Sequence, residues 1–286
     1  MKCLSFNYRG LANPEKKLTL KRLCLSERFN VIFLQETLGE GRLVKILLMS
    51  FLPNWDFHFL DVMGRSGGCA LRINKRTLNL YNAWGGEGFL GIDITSLELN
   101  KSFRLINIYG HCHNRERFWN SLMDAKFMQA NNLVIWGDLN FSLGLAESWG
   151  VRAQSGHLST FFENLLDTHE LLPIDSAKIF STWRNERTSV RPLTMRLDHF
   201  LIKAPLVTSV NLFCQWVGSG GISDDSPIFL EIKDNNFKPP TPFKFNPTWL
   251  LEVDFCILVS DSWIHYRHDD HFSLVVIISY NLSHTK

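Results

Sequence analysis

The sequence has almost no net charge. Thirty Lys and Arg stand against 28 Asp and Glu over 286 residues, a formal balance of +2. That excludes a protein that coats nucleic acid through a generally basic surface, while leaving room for a local basic groove. Cysteine is scarce and scattered. The six are Cys3, Cys24, Cys69, Cys112, Cys214 and Cys256, and no CxxC pair occurs. Most sit in apolar runs, so they read as reduced core thiols of an intracellular protein. Long hydrophobic runs are missing too. The late run at residues 272–280 falls far short of the roughly 20 residues a spanning helix needs, so no membrane partner is expected. The N-terminus enters strand-like sequence at once, with no secretory leader. The expected location is the nucleus or cytoplasm. Internal repeats and low-complexity stretches are absent.

What is present suits a large globular fold. Hydrophobic residues make up 45% and include 22 Phe and 9 Trp. Residues 3–7 read as a short strand. Asn13-Pro14 then marks a helix start, with Asn13 as cap and Pro14 in the first turn. That helix is expected to turn Leu18 and Leu25 inward and Lys16, Lys17, Lys21 and Arg22 outward. VIFLQ (31–35) is a continuous apolar run, the pattern of a strand buried on both faces. Further strands are expected over 55–62, 68–73, 89–99, 103–109, 133–136, 180–184, 197–202, 209–216 and 228–232. Helical patterns cover 115–130, with Phe118, Leu122 and Phe127 for the buried side, and 158–172.

Many strands mixed with a few helices imply a layered α/β or α+β fold. The pattern supports one domain over residues 1–234. Residues 235–286 read as a proline-containing linker, a short helix within 248–263 and an irregular tail.

Polar residues recur where strands end. Asn7 closes the first strand, Gln35 and Glu36 the second, Tyr109 a later one, and Asp138 with Asn140 another. Asp198 lies before the last strands, and Asp224 and Asp225 precede the final one. Any one of them is ordinary turn chemistry. As a set they fit strand ends converging on one rim. Carboxylates crowded together need a cation. Oxygen ligands of this kind suit a hard divalent ion such as Mg²⁺.

These residues lie in motifs: SFNYRGL (5–11), FLQET (33–37), NIYG (107–110), WGDLN (136–140), STW (181–183), RLDHFL (196–201) and SDDSP (223–227). In this order they resemble the endonuclease/exonuclease/phosphatase superfamily, with the closest resemblance to the endonuclease domain of plant LINE-type (non-LTR) retrotransposons. KFNPTWLLEVDF (244–255) resembles the segment that follows this domain in such elements. The resemblance implies a four-layer sandwich of two packed mixed β-sheets flanked by helices. It also implies Mg²⁺- or Mn²⁺-dependent cleavage of DNA phosphodiesters by a monomer. Asn7 and Glu36 would hold the metal. Asp138 would orient or deprotonate the attacking water. Asn140 and Tyr109 would position the phosphoryl group, and Asp224 would support the metal.

The resemblance also exposes a departure. The family usually has Asp-His where this chain has Asp224-Asp225, the histidine contacting the scissile phosphate and held by an aspartate at the position of Asp198. A carboxylate at Asp225 offers the phosphate neither positive charge nor a donor, and it faces Asp198 as a like charge. Activity is therefore expected to be weakened or lost, as is affinity for DNA. The alternatives are a non-catalytic nucleic-acid-binding remnant and a decayed retroelement fragment. The chain ends soon after the endonuclease-like region, without a reverse transcriptase, which favours decay. Phe6 replaces a usual tryptophan and Leu139 a usual phenylalanine, both swaps a core absorbs. His199, next to Asp198 in a strand, points to the other sheet face. His111-Cys112-His113 lacks further soft-metal ligands. His265, His268 and His271 read as a surface cluster. Trp183 is placed either to stack on a base or to pack at the rim.

Overall fold

The structure, a computed structural model, describes residues 1–234 apart from 11–12, 64–65, 111–112, 151–157, 176–177, 186–192, 211 and 220–222, and beyond them only Val253, Asp254 and Ile257. The chain divides into two compact units, Met1–Asp234 and Asn235–Lys286. The expected helix at 248–263 and the histidines of the tail fall almost wholly outside the described residues, as do His111 and Cys112.

The first unit opens with β1 (Lys2–Asn7), α1 (Pro14–Ser26), β2 (Val31–Gln35), α2 (Gly41–Met49), β3 (Trp55–Met63), β4 (Ser66–Asn74) and β5 (Leu78–Gly86). It continues through β6 (Phe89–Ser96), β7 (Lys101–Tyr109), α3 (Arg115–Met123), β8 (Leu133–Asp138), β9 (Ser148–Gly150), α4 (Ser159–Thr168) and β10 (Leu171–Pro173). Last come β11 (Trp183–Arg184), β12 (Leu193–Met195), β13 (Asp198–Lys203), α5 (Ala204–Ser209), β14 (Leu212–Val217) and β15 (Ile228–Lys233).

Two mixed sheets result, each of six strands. One has the order β14-β15-β1-β2-β4-β3 and the other β10-β13-β8-β7-β6-β5, while β11, β12 and β9 form a small third sheet. Three apolar clusters separate the layers. Cys3, Val31, Phe33, Leu71, Ile92, Leu105, Trp136 and Phe200 fill the space between the large sheets. Leu20, Cys24, Val44 and Leu48 pack α1 and α2 onto the outer face of the first sheet, against Leu4, Phe6 and Ile32. Trp119, Leu122, Phe162 and Leu165 pack α3 and α4 onto the second, against Ile106, Ile135 and Leu201. This is the expected four-layer α/β sandwich. Phe6 and Leu139 are both buried, so the core does absorb these residues.

Strand parity decides which polar residues meet. Side chains alternate across a strand. Cys3 and Ser5 point between the sheets, and so does Asn7. The same count runs from Val31 and Phe33 to Gln35, from Val134 and Trp136 to Asp138, and back from Ile202 and Phe200 to Asp198. His199 takes the opposite face, where it stacks on Phe141 with ring centroids 5.5 Å apart.

Several local expectations are corrected. Leu18 and Leu25 of α1 are exposed, and Leu20 and Cys24 are the buried pair. Leucines occur all round this helix, so its spacing offers two stripes, and the contact with Leu4 and Phe6 selects one. The Asn13 cap is as expected, its Oδ1 accepting from Glu15 N–H at 2.8 Å. The pattern over 115–130 splits into α3 and a 3₁₀ turn at Lys126–Gln129, with Trp119, Leu122, Met123 and Met128 buried rather than Phe118 and Phe127. The helix expected over 158–172 stops at Thr168, and Leu171 begins a strand. The helices α2 and α5 and the strand β5 were not legible.

Cys3, Cys24 and Cys69 are free and buried, and Cys214 is free and partly buried. Burial pushes the first three thiols up to about 12, which leaves them unreactive. Among the described residues no helix is long and apolar enough to cross a membrane.

Candidate functional site

Strand direction brings the polar ends to one rim. β1 and β2 are parallel and pair Asn7 with Gln35. β7 and β8 are parallel and pair Tyr109 with Asp138. β13 runs antiparallel to β8, so its first residue, Asp198, sits opposite Asp138. β15 runs antiparallel to β1, which returns residues 223–227 to the same end.

The two sheets are stitched together at this rim by amides. Asn7 Nδ2 donates to Glu36 Oε1 at 2.9 Å and to Asp138 Oδ2 at 2.8 Å. Gln35 Nε2 donates to Ser5 Oγ at 2.9 Å and to Asn107 Oδ1 across the sandwich. Asn7 Oδ1 is buried with no hydrogen-bond partner. An amide oxygen is thus held in place with its lone pairs unused.

Backbone geometry around the site is unusual. Arg9, Glu36 and Asn140 all have positive φ, at 45°, 47° and 55°. Asn tolerates this region, whereas Arg and Glu pay roughly 1–2 kcal/mol each. Gly137, in WGDLN, has φ +133°, and a Cβ there would lie 2.0 Å from Ile108 O. No other residue fits between β7 and the turn that presents Asp138.

Asp138 is fixed from both oxygens. Oδ2 accepts from Asn7, and Oδ1 accepts from Asn140 N–H at 3.0 Å. Asn140 Nδ2 in turn donates to Gly110 O at 2.6 Å. Burial is the main force on the Asp138 carboxyl and pushes it up to about 6. Under the following loop, Arg196 Nη1 reaches Glu147 Oε1 at 3.2 Å and Asp175 Oδ1 at 2.8 Å. His199 Nε2 lies 3.1 Å from both Glu147 oxygens. Glu147 Oε2 accepts from Leu143 N–H at 2.6 Å. The expectation that His199 is no stand-in for a phosphate ligand fits this place in the scaffold.

Asp224 and Asp225 part company. The backbone holds both, with Arg184 N–H donating to Asp224 O at 3.0 Å and Ser226 N–H to Thr182 O at 2.7 Å. Trp183 bridges Asp225 in this pairing and also lines a cavity beside Asn140, Phe141 and Met195, so it is a rim residue. Asp224 turns outward to Arg9. Asp225 turns inward and is 2% exposed. Its Oδ1 and both carboxylate oxygens of Asp198 are buried without hydrogen-bond partners. Burial, then Asp198, then Asp138, push the Asp225 carboxyl up to about 10. Asp198 is raised well above its ordinary value by burial and by Asp138. This amends the picture of two opposed charges. Burial and the neighbouring acids favour the protonated form of Asp225. That form carries an O–H but no positive charge.

Asn7, Glu36, Asp138, Asn140, Tyr109, Asp198, Asp224 and Asp225 therefore all come to one end of the sandwich. Among the described residues no three His, Cys, Asp or Glu side chains form a cluster that could hold a metal ion. The expected set of Asn7, Glu36 and Asp224 is two carboxylates and an amide. Arg9 was missed as a partner, although it lies in the NYRG motif two residues beyond Asn7.

The family described as endonuclease/exonuclease/phosphatase matches residues 3–224. No curated protein matches the sequence. Among solved structures, the chain is similar to the endonuclease domain of TRAS1, a telomere-specific non-LTR retrotransposon, at 12% identity and a TM-score of 0.60, covering 81% of this chain and 98% of that one. It is similar to a 3'-5' exonuclease from Neisseria meningitidis at 18% identity and a TM-score of 0.61, covering 82% and 100%. It is also similar to the AP endonuclease LMAP from Leishmania major at 17% identity and a TM-score of 0.63, covering 80% and 86%. At these identities the structures speak for the fold, while the family match spans most of the chain. The chain belongs to the endonuclease/exonuclease/phosphatase family.

Proposed function

We propose that residues 1–234 form a divalent-metal-dependent DNA endonuclease domain of the LINE retrotransposon type, akin to those of plants, whose cleavage is weakened because Asp225 takes the place of the family's histidine. The protein acts as a monomer inside the cell. The observation that carries the reading is Asn7, which ties Glu36 and Asp138 from opposite sheets while its Oδ1 lacks a partner. A buried amide oxygen beside two carboxylates is the donor chemistry that Mg²⁺ or Mn²⁺ takes. The residues fit the metal: Asn7, Glu36 and Asp224 would hold it. When bound it would neutralise charge on the phosphoryl oxygens.

The protein's own groups do the rest. Asp138, held from both oxygens, orients the attacking water and accepts its proton. Asn140 and Tyr109 position the phosphoryl group. Asp198 and Asp225 occupy the place of the orienting aspartate and its histidine, and there the site lacks a cation. The order of the seven motifs supports a retroelement origin, and the buried acid pair supports weak turnover.

Calorimetric titration with Mn²⁺ tests the site. The parent binds one ion, and Glu36→Gln binds it at least about 10–100-fold more weakly, the scale of loss that even outer-sphere changes cause. Equal affinity in the two proteins refutes the assignment.

A further inference from the structure

Arg9 lies in the turn that leaves β1. Its Nη1 donates to Asp224 Oδ2, and its Nε stands 3.7 Å from Glu36 Oε2. The two acids are 10% and 13% exposed, whereas the arginine side chain is 49% exposed. The guanidinium therefore covers the carboxylates from the solvent side.

The main chain beneath it is pinned. Tyr8 N–H donates to Gln35 O at 3.0 Å, and Gly10 N–H donates to Glu36 O at 2.8 Å. Lys16 Nζ donates to Arg9 O at 3.0 Å. These bonds hold Arg9 and Glu36 in their positive-φ conformations side by side. The long side chain can swing while its Cα stays in place.

Two facing carboxylates keep their charge only beside a cation. A guanidinium is always charged and forms directional bonds to carboxylates. We infer that Arg9 is the resident counter-ion of Glu36 and Asp224 and competes with a divalent metal for them, so that it sets the metal affinity of the site. The inference rests on the reading of Asn7, Glu36 and Asp224 as the metal's ligands. A metal that takes both acids must first break the Arg9–Asp224 bond and displace the guanidinium outward. A charge-assisted hydrogen bond of ordinary strength corresponds to about tenfold or more in affinity. Removing the arginine also removes a positive charge that repels the incoming ion.

Mn²⁺ titration by calorimetry at fixed ionic strength tests this on the full chain. Arg9→Gln is expected to bind Mn²⁺ about tenfold more tightly than the parent, and Arg9→Lys, which keeps the charge, to fall between the two. Because Arg9 is half exposed, both variants are expected to fold, checked by cooperative melting in EDTA. An affinity for Arg9→Gln equal to or weaker than the parent's overturns the inference. If that result comes with loss of binding in Glu36→Gln, the counter-ion role falls and the metal-site reading stands. If Glu36→Gln binds as the parent does, the site reading falls and takes the counter-ion role with it.

Discussion

Replacing Asp225 with histidine tests the proposed reading of this rim. In the parent, both oxygens of Asp198 and one of Asp225 are buried without partners, and burial raises both carboxyls, that of Asp225 to about 10. An imidazole in that position supplies an N–H to Asp198. The resulting charge-assisted bond is worth about 1.5–3 kcal/mol. It fixes the ring and draws Asp198 into its ionised form. The other ring nitrogen then offers a phosphate a donor that carries positive charge. A restored acid/base group of this kind contributes about 10²–10⁴ in rate, or roughly 3–5 kcal/mol of transition-state stabilisation.

The assay is nicking of supercoiled plasmid DNA in Mg²⁺. Asp225→His is expected to exceed the parent by about two orders of magnitude or more. Asp138→Ala placed on the same background removes the gain, because no group orients the water. Asp225→Asn, neutral and close to the parent in size, gains little. If the parent already nicks as fast as Asp225→His, the missing histidine is not the defect. If Asp225→His is folded, binds Mn²⁺ and still fails to cut, the domain is impaired elsewhere and the reading as a weakened enzyme is refuted.

The buried acids also make stability depend on pH. The Asp225 carboxyl moves from 3.8 to about 10 on folding. Between those values the unfolded chain releases a proton that the folded chain keeps, so stability falls as pH rises. In EDTA, the melting-temperature advantage of Asp225→Asn over the parent should grow from pH 5 to pH 8, and a flat difference would sink the argument. Gly137→Ala forces a Cβ toward Ile108 O, 2.0 Å away, and should cost at least about 2 kcal/mol, roughly 4–8 °C in Tm for a domain of this size; an unchanged Tm would show that the turn has room. A chain ending at Asn235 should remain soluble and melt cooperatively, whereas aggregation would show that the first unit needs the second.

The meeting of Asn7, Gln35, Asp138 and Asp198 was legible because they lie at strand ends and share one parity. VIFLQ and VIWGD each run from apolar to polar along a single strand, so the inward face of the core becomes the inward face of the rim without a change of register. Nothing comparable marks the face of α1, where Leu18, Leu20, Leu23 and Leu25 offer the core several stripes and only the partner surface of β1 decides. Strand β5 was hidden for the opposite reason. Its residues are mostly half-buried or exposed, as at Tyr81, so it gives no sustained apolar run.

The electrostatic state of the rim lay beyond sequence spacing altogether. Asp224 and Asp225 are adjacent in the chain, yet one meets Arg9 near the surface and the other faces Asp198 in the interior. A strand-like backbone sends neighbours to opposite sides, so adjacency implied separation rather than a repelling pair. The repulsion expected between Asp225 and Asp198 acts, after burial, by raising the Asp225 carboxyl and favouring its protonated form. On the proposed reading, an acid in place of the family's histidine leaves the scaffold intact while removing a cation from the rim. That reading separates fold from activity: stability measurements on the parent test the scaffold, and a phosphodiester substrate tests whether a charge is missing.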